Sequence, residues 1–211
     1  MGKKISLEEE IKKTQELLAS LRKKQAEQQV ELSTVALGEI VKIAGWDFIV
    51  VNQNTWENET SLLSKDLLLE NMRFGDNTNY MESNVKDELK KEILPKIEDA
   101  VGKNNICTIP TDFTAVNGIN EYGSTNNLQI RPLTFEEVRE FAEFIPNEDL
   151  KDYYWTCTPW STKGRGYEKS MSVVSPSGVI NYFNYDFFDF NIGVRPFCIL
   201  KSNIFVSKGE Q

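Results

Sequence analysis

The stretches YYWTCTPW (residues 153–160) and GVRPFCIL (residues 193–200) decide how this chain is read. Each packs aromatic and apolar residues into a short run with none of the 3.6-residue spacing of a helix face, so each reads as a strand. Between them lie two more such runs, Met171–Val174 and Val179–Phe183. They are joined by Ser175-Pro176-Ser177-Gly178, whose proline and glycine suit a tight turn. From Tyr153 onward the chain therefore reads as strands and turns.

Upstream the period changes. Thr134-x-x-Glu137 has the capping-box pattern that opens a helix. Phe135, Val138, Phe141, Ala142 and Ile145 then share one face, and Pro146 ends the run. Residues 83–101 form a second helix with Val85, Leu89, Ile93, Leu94 and Ile97 on one side, Gly102 just past its end, and Pro95 placed to kink or divide it. Residues 103–131 are rich in Asn, Thr and Gly and read as an extended surface loop. Residues 39–51 read as two strands joined near Ala44-Gly45, and Ser61–Leu63 as a further strand or a short helix. Ser33–Gly38 is a hinge. Residues 6–32 read as one helix of about 40 Å, opened by Ser6 and Glu9 as a capping box. Ile11, Leu18, Gln25 and Leu32 fall on one heptad position; Leu7, Thr14, Leu21 and Gln28 fall on the other. The expected class is α+β: residues 1–35 are a coiled-coil oligomerisation or attachment segment, and residues 36–211 are one domain.

Composition narrows the function. The chain of 211 residues has a net charge of −8 and no histidine. An acidic chain without a basic face is a poor nucleic-acid partner. Lack of histidine excludes Ser-His-Asp and Cys-His catalysis and every histidine-ligated metal site. Cys107, Cys157 and Cys198 are far apart and odd in number, so they read as small buried hydrophobes, not as a disulfide or zinc framework. No run approaches the roughly 18 apolar residues of a membrane span. Met1–Glu10 is charged and lacks the apolar centre of a secretion signal, so synthesis in a cytoplasm is expected. No catalytic residue, metal or cofactor is expected.

The motif Trp155-x-x-Thr158-Pro159, the Ser177-Gly178 turn and the ending Gly193-Val194-Arg195-Pro196 together resemble an uncharacterised bacterial and phage domain family with W-x-x-[ST]-P and G-V-R-P motifs. Gly38-Glu39-Ile40 with Gly45-Trp46, Tyr80-x-x-Ser83 and Leu133-Thr134-x-Glu136-Glu137 fit its earlier segments, so the resemblance covers roughly residues 36–206. That family looks like a branch of the C-type-lectin-like fold, shared with formylglycine-generating enzymes and phage variable tip proteins. The resemblance implies two helices on a twisted antiparallel sheet with the first and last strands adjacent. It also implies a phage virion protein. The Glu-Pro-Asn and Trp-Asn-Asp calcium motifs of sugar-binding C-type lectins are absent, and so is the paired copper-binding cysteine pattern of the formylglycine-generating enzymes.

Residues 181–191 (NYFNYDFFDFN) hold six aromatics and five Asn or Asp, too polar for a buried strand and too aromatic for a solvated loop. Tyrosine mixed with small polar residues is the composition of a paratope. Phe183, Phe187 and Phe190 are expected inward, and Tyr182, Asn184, Tyr185, Asp186 and Asp189 outward as ligand contacts. Arg165 and Tyr167, in the Gly-rich segment 163–167, are either a hairpin tip or a second set of contacts. Asp186 and Asp189 could pair for glycoside hydrolysis, but nothing marks either for a raised pKa. Arg195 reads as a buried anchor bonded to a carboxylate or to loop carbonyls, and Trp46, Trp155 and Trp160 as core. The expectation is a non-enzymatic binding protein of a virion or cell surface, of fibre, tip or receptor-binding type. Its partners would be further copies of itself (a trimer, from the resemblance and the short helix), other virion proteins, and a host-cell surface protein or glycan. A capsid or tail decoration protein and an oxidative modifying enzyme of the formylglycine-generating type are the alternatives.

Overall fold

The computed structural model describes residues 7–27, 29–162, 166–187 and 192–209. The fold is α+β, with mostly antiparallel sheets and few helices. Helix α1 (Leu7–Glu27) leads to strand β1 (Gln29–Glu31). Strands β2 (Ile40–Ile43), β3 (Trp46–Asn54) and β4 (Glu59–Ser64) follow as a meander. Helices α2 (Asn84–Glu88) and α3 (Leu94–Val101) flank a π-helical turn, Leu89–Ile93. Next come β5 (Ile109–Asp112), β6 (Ser124–Leu128), β7 (Ile130–Arg131) and helix α4 (Phe135–Glu140). The remainder is β8 (Tyr154–Pro159), β9 (Ser170–Val174), β10 (Ile180–Asn184), β11 (Phe197–Lys201) and β12 (Phe205–Lys208). The seven-stranded sheet has the order β1-β12-β2-β3-β4-β11-β7, beside a three-stranded sheet β10-β9-β8 and the hairpin β5-β6.

Two expectations are corrected. The first helix does not run to Leu32. It ends at Glu27, and Gln29–Glu31 instead pairs with β12, Val30 opposite Val206. Leu32 is fully buried, and its N–H donates to the carbonyl of Ile204 at 2.9 Å. Burial in the domain core outweighs a place on an uncovered helical stripe. Ser6 and Gln28 lie outside the described residues. The second correction concerns residues 103–131, which are not one surface loop. Ile109 and Thr111 point inward from β5 while Pro110 and Asp112 point out, and Ile130 pairs with Cys198, far away in sequence. The asparagines lie in the short turn before β5, in the connection between β5 and β6, and in the exposed strand β6.

Pro95 does divide its helix. Its ring would meet the carbonyl four residues back, and it has no N–H to give. The chain answers with the wider π turn, in which the Leu94 N–H donates to the Leu89 carbonyl, and Pro95 opens α3. The turn at Ala44-Gly45 has both residues at positive φ, 54° and 84°, the conformation that matches strand twist in a two-residue hairpin.

The motif at 153–160 organises the interior. Trp155 is fully buried, lies edge-on to Phe74 with centroids 5.5 Å apart, and donates its indole N–H to the Met72 carbonyl at 2.6 Å. After Trp155 the pairing with β9 is irregular until Pro159. Buried hydroxyls serve the interrupted ladder: Ser172 Oγ donates to the Thr158 carbonyl at 2.8 Å, and Thr156 Oγ1 accepts the Thr158 N–H at 3.2 Å. Gly193 joins the two larger sheets by accepting the Trp155 N–H at 3.0 Å. A Cβ there would stand 2.7 Å from Leu67 Cδ1 and 2.9 Å from the Leu69 carbonyl, so this close approach excludes any side chain.

Two buried arginines brace the loops. Arg195 is fully buried. It donates to the Ser64 carbonyl (2.9 Å), Asn147 Oδ1 (3.1 Å) and the Pro146 carbonyl (3.4 Å), and it stacks on Tyr154 at 5.3 Å. Of the two expected partners it takes the carbonyls; among the described residues no carboxylate pairs with it. Burial lowers its pKa. Arg131, 1% exposed and without any signal of burial in its local sequence, is the opposite case. Both its terminal nitrogens reach Glu137 at 2.6 Å, and its Nε donates to Thr111 Oγ1 at 2.8 Å. Glu137 also closes the capping box, accepting the Thr134 N–H at 2.8 Å. The Arg131–Glu137 pair thus ties β5, β7 and α4 together.

Candidate binding surface

Strand β10 is the outer strand of the small sheet, pairing with β9 from Ile180↔Val174 to Asn184↔Ser170. Side chains alternate across it. Phe183 points inward, where it meets Tyr153 (5.1 Å) and Phe187 (5.2 Å). Tyr182 points the other way and is 37% exposed. It packs 5.0 Å from the ring of Trp160 and 5.2 Å, edge-on, from Tyr167, itself 49% exposed. Trp160 is held at this position by its N–H, which donates to the Ser170 carbonyl at 2.9 Å.

The structure thus brings Tyr167 and Tyr182 together from segments that the sequence reading treated as two separate loops. It adds Trp160, whose expected place was the core. Trp160 is only half-buried; the signal for it was its place at the mouth of the Gly-rich segment that follows. Trp46 is likewise half-buried, with the ammonium of Lys96 5.2 Å from its ring centroid. Trp155 alone of these three is core.

The other expected contacts divide. Asn184 is exposed, its Oδ1 3.5 Å from Ser170 Oγ. Asp186 is half-buried in the turn after β10. Tyr185 is not an outward contact. Its ring packs against the core, and its carbonyl accepts the Phe74 N–H at 3.1 Å, which fastens the turn to the loop before α2. Arg165, Asp189 and Phe190 lie outside the described residues. Residues 181–184 are strand, not loop, so this end of the surface is set by sheet register.

Chemically the cluster is neutral. A hydrogen bond with Tyr167 raises the pKa of the Tyr182 phenol, so it stays protonated at neutral pH. Rings beside carboxamides suit stacking and hydrogen bonding. The thiols lie elsewhere. Burial pushes Cys157 and Cys198 up to about 12 and is the largest cause of the rise of half-buried Cys107 to about 11. All three are free. Among the described residues no group of three acidic or cysteine side chains could hold a metal ion, and no helix is long and apolar enough to cross a membrane.

The surface is therefore an aromatic patch on the outer strand of an antiparallel sheet in an α+β protein. No family model, curated protein or solved structure matches the chain.

Proposed function

We propose that this chain is a non-enzymatic binding protein of a phage virion or cell surface, of fibre, tip or receptor-binding type, built on a C-type-lectin-like domain. The observation that carries the reading is the cluster of exposed Tyr167 and Tyr182 with half-buried Trp160. Rigid amphipathic rings supply contact area at little entropic cost, and the neighbouring Asn184 adds adaptable hydrogen bonding. A host-cell surface protein or glycan is the ligand class this suits. The buried, protonated thiols favour binding over thiol-based oxidative chemistry.

The first helix supports self-association. Ile11 and Leu18 share a heptad position and are 49% and 48% exposed, a stripe that a second helix would cover. A trimer fits the reading.

Two experiments test it. Labelled protein is added to Gram-negative and Gram-positive cells, and retention is measured by flow cytometry. The parent is expected to be retained on at least one surface, and Tyr167→Ala/Tyr182→Ala to lose at least tenfold of it with an unchanged melting temperature. Equal retention of the two proteins, or none of the parent, would refute the binding role. Separately, Ile11→Asp/Leu18→Asp is expected to reduce the solution mass of the full chain from oligomer to monomer by light scattering. An unchanged mass would remove the helix from assembly.

A further inference from the structure

A second site lies where α2 and the π turn face the bend between β6 and β7. The cleft encloses about 250 Å³. Its floor is apolar, with Leu128 and Ile130 buried and Leu94 half-buried beside them. Its rim is polar, with Lys86 and Lys90 on the helical side and Asn127 and Gln129 on the strand side.

Local structure explains the gathering. Lys86 and Lys90 are four apart, so both project from one helical face. On the other wall the chain changes partner: β6 pairs with β5, whereas β7 pairs with β11. Gln129 stands at that change and opens a gap beside the helix. Lys86 is tethered, its ammonium donating to the Met81 carbonyl and lying 3.4 Å from exposed Asp87. Lys90 is exposed and, among the described residues, has no ion pair. Asn127 Oδ1 accepts from Thr125 Oγ1 at 2.5 Å, which leaves its amide hydrogens as donors. The rim therefore offers two ammonium groups and two carboxamides above an apolar floor, on a chain whose net charge is −8.

We infer that this cleft binds a small organic anion: a carboxylate or phosphate carried on a single ring. Lys90 supplies the main counter-charge, and Lys86 and the Asn127 and Gln129 amides donate to the oxyanion. The ring lies on Leu128 and Ile130. The volume is just below that of pockets for drug-sized ligands, which suits one ring and one anionic group. None of the residues of the aromatic patch takes part, so the two sites fail or stand independently.

The test is a titration of the full chain, followed by amide NMR, with benzoate and phenyl phosphate as probes. Benzamide and inorganic phosphate are the neutral and ring-free comparisons. Saturable shifts at the Lys90 and Gln129 amides are expected with either ring-bearing anion, and binding at least tenfold weaker with each comparison. Lys90→Met is expected to weaken the better probe about tenfold at an unchanged melting temperature, and Lys90→Arg to restore most of the binding. Benzamide binding as tightly as benzoate would overturn the anion site, and inorganic phosphate matching phenyl phosphate would overturn the ring's place on the floor. Absence of any saturable shift, or a Lys90→Met variant that binds like the parent, would dispose of the proposal.

Discussion

Glu137→Gln is expected to cost the fold about 3 kcal/mol, the order found when one partner of a buried ion pair is removed. The substitution keeps the size of the side chain and removes its charge. It leaves Arg131, 1% exposed, with no anion and weakens the closure of the capping box. Urea unfolding at pH 7 with an unchanged slope is the measurement; a loss below 1 kcal/mol would show that the pair is not a brace. The loss also has a definite pH dependence. Burial alone would raise the Glu137 pKa, but the hydrogen bond and charge of Arg131 outweigh it and hold the group below its ordinary value. A carboxylate lowered on folding stabilises fully above its unfolded pKa, about 4.3. That contribution disappears as the pH falls through the lower, folded value. The gap between parent and variant should therefore be constant above about pH 5 and close progressively below it.

Trp155→Ala is expected to cost more, about 5 kcal/mol, the upper end of the range for deleting a buried aromatic side chain. Two losses combine. The indole packs in the larger core cluster against Phe74, and its N–H satisfies the part-buried Met72 carbonyl, which would lose that donor. The total stability of a domain is about 5–15 kcal/mol, so the alanine variant could unfold outright. Trp155→Phe keeps the measurement readable: it retains a ring and loses the hydrogen bond, and about 1–3 kcal/mol is expected. If the phenylalanine variant matched the parent and the alanine variant lost under 2 kcal/mol, Trp155 would not be the organising residue.

The sequence displayed most of the strands, since alternating or continuous apolar runs are local signals. Trp46–Asn54, Ser170–Val174 and Phe197–Lys201 could be found within a few residues of their bounds. It displayed the opening of α4, because a capping box is four residues long. It did not display β1, β5, β6, β7 or β12, whose strand character comes from their partners, Val30 with Val206, Ile109 with Leu128 and Ile130 with Cys198, and not from their own composition. Of the candidate surface, Tyr182 was legible as a tyrosine in a polar aromatic run, and Tyr167 as a residue of a Gly-rich segment. Their contact with each other and with Trp160 was not, because it depends on how β8 and β10 flank β9. Tyr185 misled for a related reason: composition places an aromatic in a loop but does not say which side of the turn it takes. Arg131 and Arg195 look alike in sequence, each beside a proline. Only the fold distinguishes the one with a carboxylate from the one with carbonyls.

The two borders of the large sheet are its shortest strands, three residues in β1 and two in β7. A long border would present a row of unpaired amides and carbonyls on which another chain could continue the sheet. Here each border runs out after two or three residues, beside five inner strands (β12, β2, β3, β4 and β11) of four to nine residues. Short strands at these positions are thus a safeguard against aggregation, and Glu31 in β1 and the Arg131-Pro132 pair at the end of β7 add to it. Two molecules that meet at these borders therefore find too few free amides and carbonyls in line to continue one sheet into the next.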